Sequence, residues 1–89
     1  MVEFMSTKAG NPAKDQKVIT TDKGRYLQSY DSVVAFIPDD DGPIQVGPDY
    51  DYSSTTIYYV GKFLRMNLPK IREGLKKGTI LLEDSLAAG

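Results

Sequence analysis

A chain of 89 residues holds one domain, and 40% hydrophobic with 26% charged residues is the composition of a folded globular protein. There is no cysteine and no histidine. The first absence excludes disulfides, thiolate metal sites and thiol nucleophiles, and the second removes the commonest general base and metal ligand near neutral pH. The sequence therefore reads as a protein that is not an enzyme and carries no cofactor and no metal. Its longest apolar runs, 33–37 and 79–82, are far shorter than the ~20 residues a bilayer-spanning helix needs. Residues 1–16 lack the apolar stretch of a signal peptide. A cytoplasmic protein without membrane association is expected.

Residues 1–16 contain Gly10, Asn11 and Pro12 and show no period. They read as a flexible lead-in, with a short strand at most over 2–5. Lys17 to Thr21 is β-rich and is followed by the turn signal Asp22-Lys23-Gly24. Residues 25–38 alternate at first and then form the compact apolar run Val33 to Ile37, as a buried strand does. Asp39-Asp40-Asp41-Gly42-Pro43 turns the chain into Ile44-Gln45-Val46, which makes a hairpin.

Ser53-Ser54-Thr55-Thr56 precedes an apolar stripe of Ile57, Val60 and Leu64, with Phe63 alongside. Hydroxyls in that position are N-cap chemistry, because the first four N–H groups of a helix lack internal partners. Asn67 is placed to cap a second helix with Pro69 in its first turn, and Gly78 ends it. Thr79 to Glu83 reads as a closing strand. The expected fold is α+β: a small single domain over 17–84, with an antiparallel β-sheet made of the hairpin plus a closing strand. Two short helices pack on one face of that sheet, and 85–89 form a tail.

Charge is segregated behind a net value of −1. From Asp31 to Asp51 there are six acids and no base. From Thr55 to Gly78 there are six bases (Lys62, Arg65, Lys70, Arg72, Lys76 and Lys77) against Glu73 alone. Such a layout steers partners or solvates two faces. Asp49, Asp51 and Ser53 have the spacing that opens a calcium loop. The pattern then fails at Ser54, where glycine is needed, and at Val60, where glutamate should supply two oxygens. The hydroxyls of 53–56 could also hold an anion, but no glycine-rich phosphate loop precedes them. Of the six tyrosines, Tyr50 and Tyr58 are the ones expected to be exposed.

Two blocks, GRYLQSYDSVVAF over 24–36 and DYSSTTIYYVGKFL over 51–64, are followed by IREGLKKGTILL. Together they resemble small uncharacterised proteins found mainly in bacteriophage and prophage genomes. The matching positions include Gly24, Arg25, Tyr26, Leu27, Ser29, Tyr30, Asp51, Tyr52, Ser53, Thr55, Thr56, Tyr59, Phe63, Leu64 and Gly78, and the resemblance covers roughly 24–82. It implies a phage accessory protein that binds and inhibits or redirects a host protein, such as a defence or nucleic-acid-processing factor. The acidic residues Asp39, Asp40, Asp41, Asp49 and Asp51 would dock on a basic surface, with Tyr50 as aromatic anchor. The alternative is a nucleic-acid-binding module that uses Lys62, Arg65, Lys70, Arg72, Lys76 and Lys77 with Tyr58 for stacking. A pI of about 5.2 weighs against that alternative. A homo-oligomer would form through an edge strand at 17–21.

Overall fold

The computed structural model describes residues 1–88, so the last residue of the expected 85–89 tail lies outside the described residues. In chain order the elements are β1 (Val2–Ser6), β2 (Pro12–Thr21), β3 (Gly24–Ser29), β4 (Ser32–Pro38), β5 (Ile44–Val46), α1 (Ser54–Leu64), α2 (Leu68–Lys77), β6 (Ile80–Leu82) and α3 (Ser85–Ala88). The six strands form one sheet in the order β1-β2-β3-β4-β5-β6. The first four pairings are antiparallel and β6 runs parallel to β5. The domain is α+β, as the sequence implied. No helix among the described residues is long and apolar enough to cross a membrane.

Strand alternation sorts the side chains onto two faces. Val18, Leu27, Ala35 and Val46 stand opposite one another along the register and turn to one face. There they meet Tyr59, Val60, Phe63 and Leu64 of α1 and Ile71 of α2, and Ile80 completes the cluster. Leu27, Ala35, Val46 and Val60 are wholly buried. A bulge between Leu27 and Gln28 leaves Val34 as the extra residue of β4 and adds its side chain to this core.

The helix ends follow the expected chemistry. Ser53 caps α1, its Oγ accepting from the Thr56 N–H at 3.2 Å. Asn67 caps α2 by accepting from the Lys70 N–H at 3.0 Å, with Pro69 in the first turn, and Gly78 closes it in the left-handed conformation at φ 82°.

Four expectations are corrected. The flexible lead-in at 1–16 is instead a β-hairpin, β1 and the first half of β2, joined by a turn in which Gly10 N–H donates to Thr7 O. It carries no apolar period because only Ala13 and Gln16 within 1–16 are buried. Residues 25–38 are two strands, β3 and β4, because Tyr30 adopts φ 55° and reverses the chain between Ser29 and Ser32. The strand at 17–21 is not an edge, since β1 covers one side and β3 the other, which removes it as an oligomerisation edge. Residues 85–88 form α3, packed against β4, in place of a tail.

Gly24 begins β3 at φ +147°, and a Cβ there would lie 2.3 Å from Ile37 O and 2.8 Å from Pro38 Cα. Neither backbone atom can yield without breaking the β3–β4 pairing. Gly24→Ala is expected to destabilise the fold by about 2–4 kcal/mol, read as a drop in the urea midpoint. Retention of the wild-type midpoint would show that β3 can start elsewhere.

Candidate functional site

The acidic residues do not form one surface. Asp39, Asp40 and Asp41 occupy the loop that leaves β4, whereas Asp49 is fixed at the start of β4 by a hydrogen bond from Ser32 Oγ at 3.0 Å. Seven strand residues at ~3.3 Å each set the two groups ~20 Å apart. The molecule has two acidic poles. One pole holds Asp39–Asp41 with Asp22, because Asp39 N–H donates to Lys23 O at 3.0 Å and ties the β4–β5 loop to the β2–β3 turn. Within that loop Asp40 Oδ1 accepts from the Gly42 N–H at 3.0 Å, and Asp41 sits at φ 62°.

The other pole gathers the β3–β4 turn and the β5–α1 loop. A hollow of about 580 Å³ there is lined by Tyr30, Asp31, Asp49, Tyr52 and the hydroxyls of Ser29, Ser53 and Thr56, among others. Tyr30 N–H donates to Asp15 O at 2.7 Å, which pins the turn to β2. Tyr52 is 75% exposed and Tyr30 47%. Tyr50, the expected anchor, is half-buried and packs against the core. The aromatic groups available at this pole are therefore Tyr30 and Tyr52, not Tyr50. Tyr30 is presented by its own left-handed turn, which no glycine or asparagine marks in the sequence.

Beneath this pole lies a small polar network. Thr56 is buried, and its Oγ1 stands 3.1 Å from Ser29 Oγ and 3.3 Å from Ser53 Oγ. Ser29 belongs to β3 and Thr56 to α1, so these hydroxyls join the helix start to the sheet. Gln16, opposite Ser29 in the register, is also buried, and its Oε1 has no hydrogen-bond partner. The Ser53–Thr56 cluster thus works as a cap and as a sheet-to-helix link. Asp49 and Ser53 of the partial calcium pattern are both engaged in hydrogen bonds of their own, to Ser32 and to the α1 N-terminus.

The basic residues lie on the helical side and are also divided. Lys62 Nζ donates to Ser6 O at 3.0 Å and stands 5.8 Å from the Tyr58 ring centroid, while Lys8 approaches the same ring at 5.1 Å. Tyr58, 36% exposed, thus holds two ammonium groups by cation–π attraction, which competes with stacking on a base. Arg65 is the left-handed residue that ends α1. Lys70, Arg72, Lys76 and Lys77 are exposed along α2, opposite its buried Ile71 and Gly74, and Lys77 pairs with Glu73 at 2.6 Å. That is the one ion pair among the described residues.

Fold and site define a small six-stranded α+β domain with acidic poles and a basic helical side. The chain matches the family of unknown function DUF8033 over residues 2–79 and belongs to it. The match takes in the β1–β2 hairpin as well as the segments that follow it. No curated protein and no solved structure matches the chain.

The hydroxyl link is testable by coupling. Thr56→Val leaves Ser29 Oγ buried without its partner and should cost about 1–3 kcal/mol. Adding Ser29→Ala should cost less than the sum of the two single changes, as a double-mutant cycle by urea unfolding would show. Strict additivity would mean that the two hydroxyls do not interact.

Proposed function

We propose that this chain is a non-enzymatic binding protein that recognises a basic surface of a partner protein through its acidic poles, one of which carries exposed tyrosines. One observation carries the reading: none of the six aspartates between 31 and 51 forms an ion pair among the described residues. Charges held apart from internal partners repel one another, and they persist at least cost where an oppositely charged surface meets them. The exposed tyrosines beside one pole and Tyr26 near the other supply the aromatic contacts that protein interfaces favour.

The resemblance to small bacteriophage proteins extends the proposal: the partner is a host protein, met in the host cytoplasm, and binding inhibits or redirects it. A row of carboxylates can stand in for a phosphate row, which fits a host factor that itself handles nucleic acid. The competing reading, nucleic-acid binding by the helical side, draws support from the basic row on α2.

The experiment is a pull-down of tagged chain from bacterial host lysate, with and without nuclease. Two variants accompany it, Asp39→Asn/Asp40→Asn/Asp41→Asn for one pole and Asp31→Asn/Asp49→Asn/Asp51→Asn for the other. The expected result is a protein band that survives nuclease and is lost in at least one variant. Retention of the band in both variants contradicts the acidic-surface reading. Bands that vanish with nuclease transfer the function to Lys62, Arg65, Lys70, Arg72, Lys76 and Lys77.

A further inference from the structure

We infer that the face of the sheet opposite α1 and α2, beside the Asp39 pole, is a docking surface for a partner segment that carries apolar and basic side chains together. The inference rests on the binding reading above and names the surface and the partner's chemistry.

The face follows from strand register. Tyr26 stands opposite Ile19 on one side and Phe36 on the other, so all three point away from the helices. The Tyr26 and Phe36 rings stack with centroids 4.3 Å apart at 24°. On one side of the pair is a hollow of about 370 Å³ lined by Ile19, Tyr26, Val33 and Leu86 with Thr21 and Ser85. On the other is one of about 540 Å³ where Phe36 and Pro38 meet Asp22, Asp39 and Asp40. The same face runs outward to Val2 opposite Ile19, to Phe4 opposite Lys17, and to Leu81 opposite Gln45. These three are 57%, 52% and 40% exposed. Among the described residues, only the four-residue α3 packs on this face, reaching it through Leu86.

An aromatic centre with a charged border is the anatomy of a binding hot spot. The border selects the occupant. Three carboxylates line the second hollow against Lys23 alone, so an acidic or anionic ligand is repelled and a lysine or arginine side chain is attracted. A second copy of this chain fits poorly. Six of its eleven bases lie between Lys62 and Lys77 on the helical side, leaving Lys17 on this face and Lys23 beside the second hollow to meet the carboxylates of a twofold mate. A foreign segment in which an apolar side chain covers the Tyr26–Phe36 pair and a neighbouring base reaches Asp22, Asp39 or Asp40 satisfies both hollows.

The test uses the full chain and three fluorescein-labelled peptides, followed by anisotropy. They are Lys-Phe-Lys-Leu-Lys-Phe-Lys-Leu, its acidic counterpart with Glu for Lys, and an all-polar basic peptide of alternating Lys and Ser. The first should bind about tenfold or more tighter than either control, and Asp22→Lys/Asp39→Lys should remove that advantage. Both substituted positions are exposed, so the variant keeps the fold, and Glu73→Lys on the outer side of α2 should bind like the parent. Ile19→Glu should weaken the same peptide by a similar factor. Equal binding of the acidic apolar peptide, or unchanged affinity in Asp22→Lys/Asp39→Lys, overturns the proposal. So does a dimer in light scattering that Ile19→Glu abolishes, which would assign the face to a second copy. These results concern the surface alone: loss of the surface with capture retained in the pull-down leaves the binding reading standing. The reverse result, peptide binding with no protein captured, strikes the binding reading itself.

Discussion

The parallel pairing of β5 with β6 governs the rest of the molecule. Parallel neighbours cannot be joined by a tight turn, so the chain must cross over the sheet between them. Here α1 and α2 make that crossing, and both helices lie on the face where Leu27, Ala35 and Val46 point. Among the described residues, the other face receives only α3, four residues long. That this face is left without a helix layer, with Tyr26 half-buried and Phe36 packed beside it, is thus a consequence of topology before it is a matter of function.

The crossover also fixes where charge goes. Core residues on α1 and α2 must face the sheet, so the bases of these helices are pushed to the outer side. Turns and loops at the two ends of the sheet collect the aspartates, since Asp tolerates turn conformations and pairs its carboxylate with nearby N–H groups, as Asp40 does with Gly42. The result is a domain with a basic helical side, two acidic poles and an apolar face between the poles. The apolar face adjoins one pole through Phe36, Pro38 and Asp39, which is why the two features can serve one partner.

What the sequence disclosed was local. Ser53, Asn67, Pro69 and Gly78 announce helix ends because capping depends on a few adjacent atoms, and the structure has them in those roles. The alternation of Tyr26 and Leu27 with the run Val33 to Ile37 marked strand residues, though not the Tyr30 turn that divides them into β3 and β4. Hidden features depended on partners distant in sequence or on an unusual residue in a turn. The β1–β2 hairpin is held by main-chain pairing at the sheet margin, with almost no buried side chain to leave a period. Tyr30 takes a left-handed conformation that glycine or asparagine would have signalled. Asp39 and Asp49 are close in sequence and far apart in space, because a single strand and its return place them at different ends. Tyr50 and Tyr52 differ in exposure by position in a loop that no periodicity describes.

The central claim is that the partner meets the open sheet face and not the basic helices. Nitrogen-15 heteronuclear correlation spectra of the labelled chain, recorded with the captured partner added, test it most directly. Docking on the sheet face produces the largest shifts at Ile19, Tyr26, Phe36 and Asp39, with the amides of Lys70, Arg72 and Lys76 little changed. Shifts concentrated on α2, with Tyr26 and Phe36 unmoved, would contradict it.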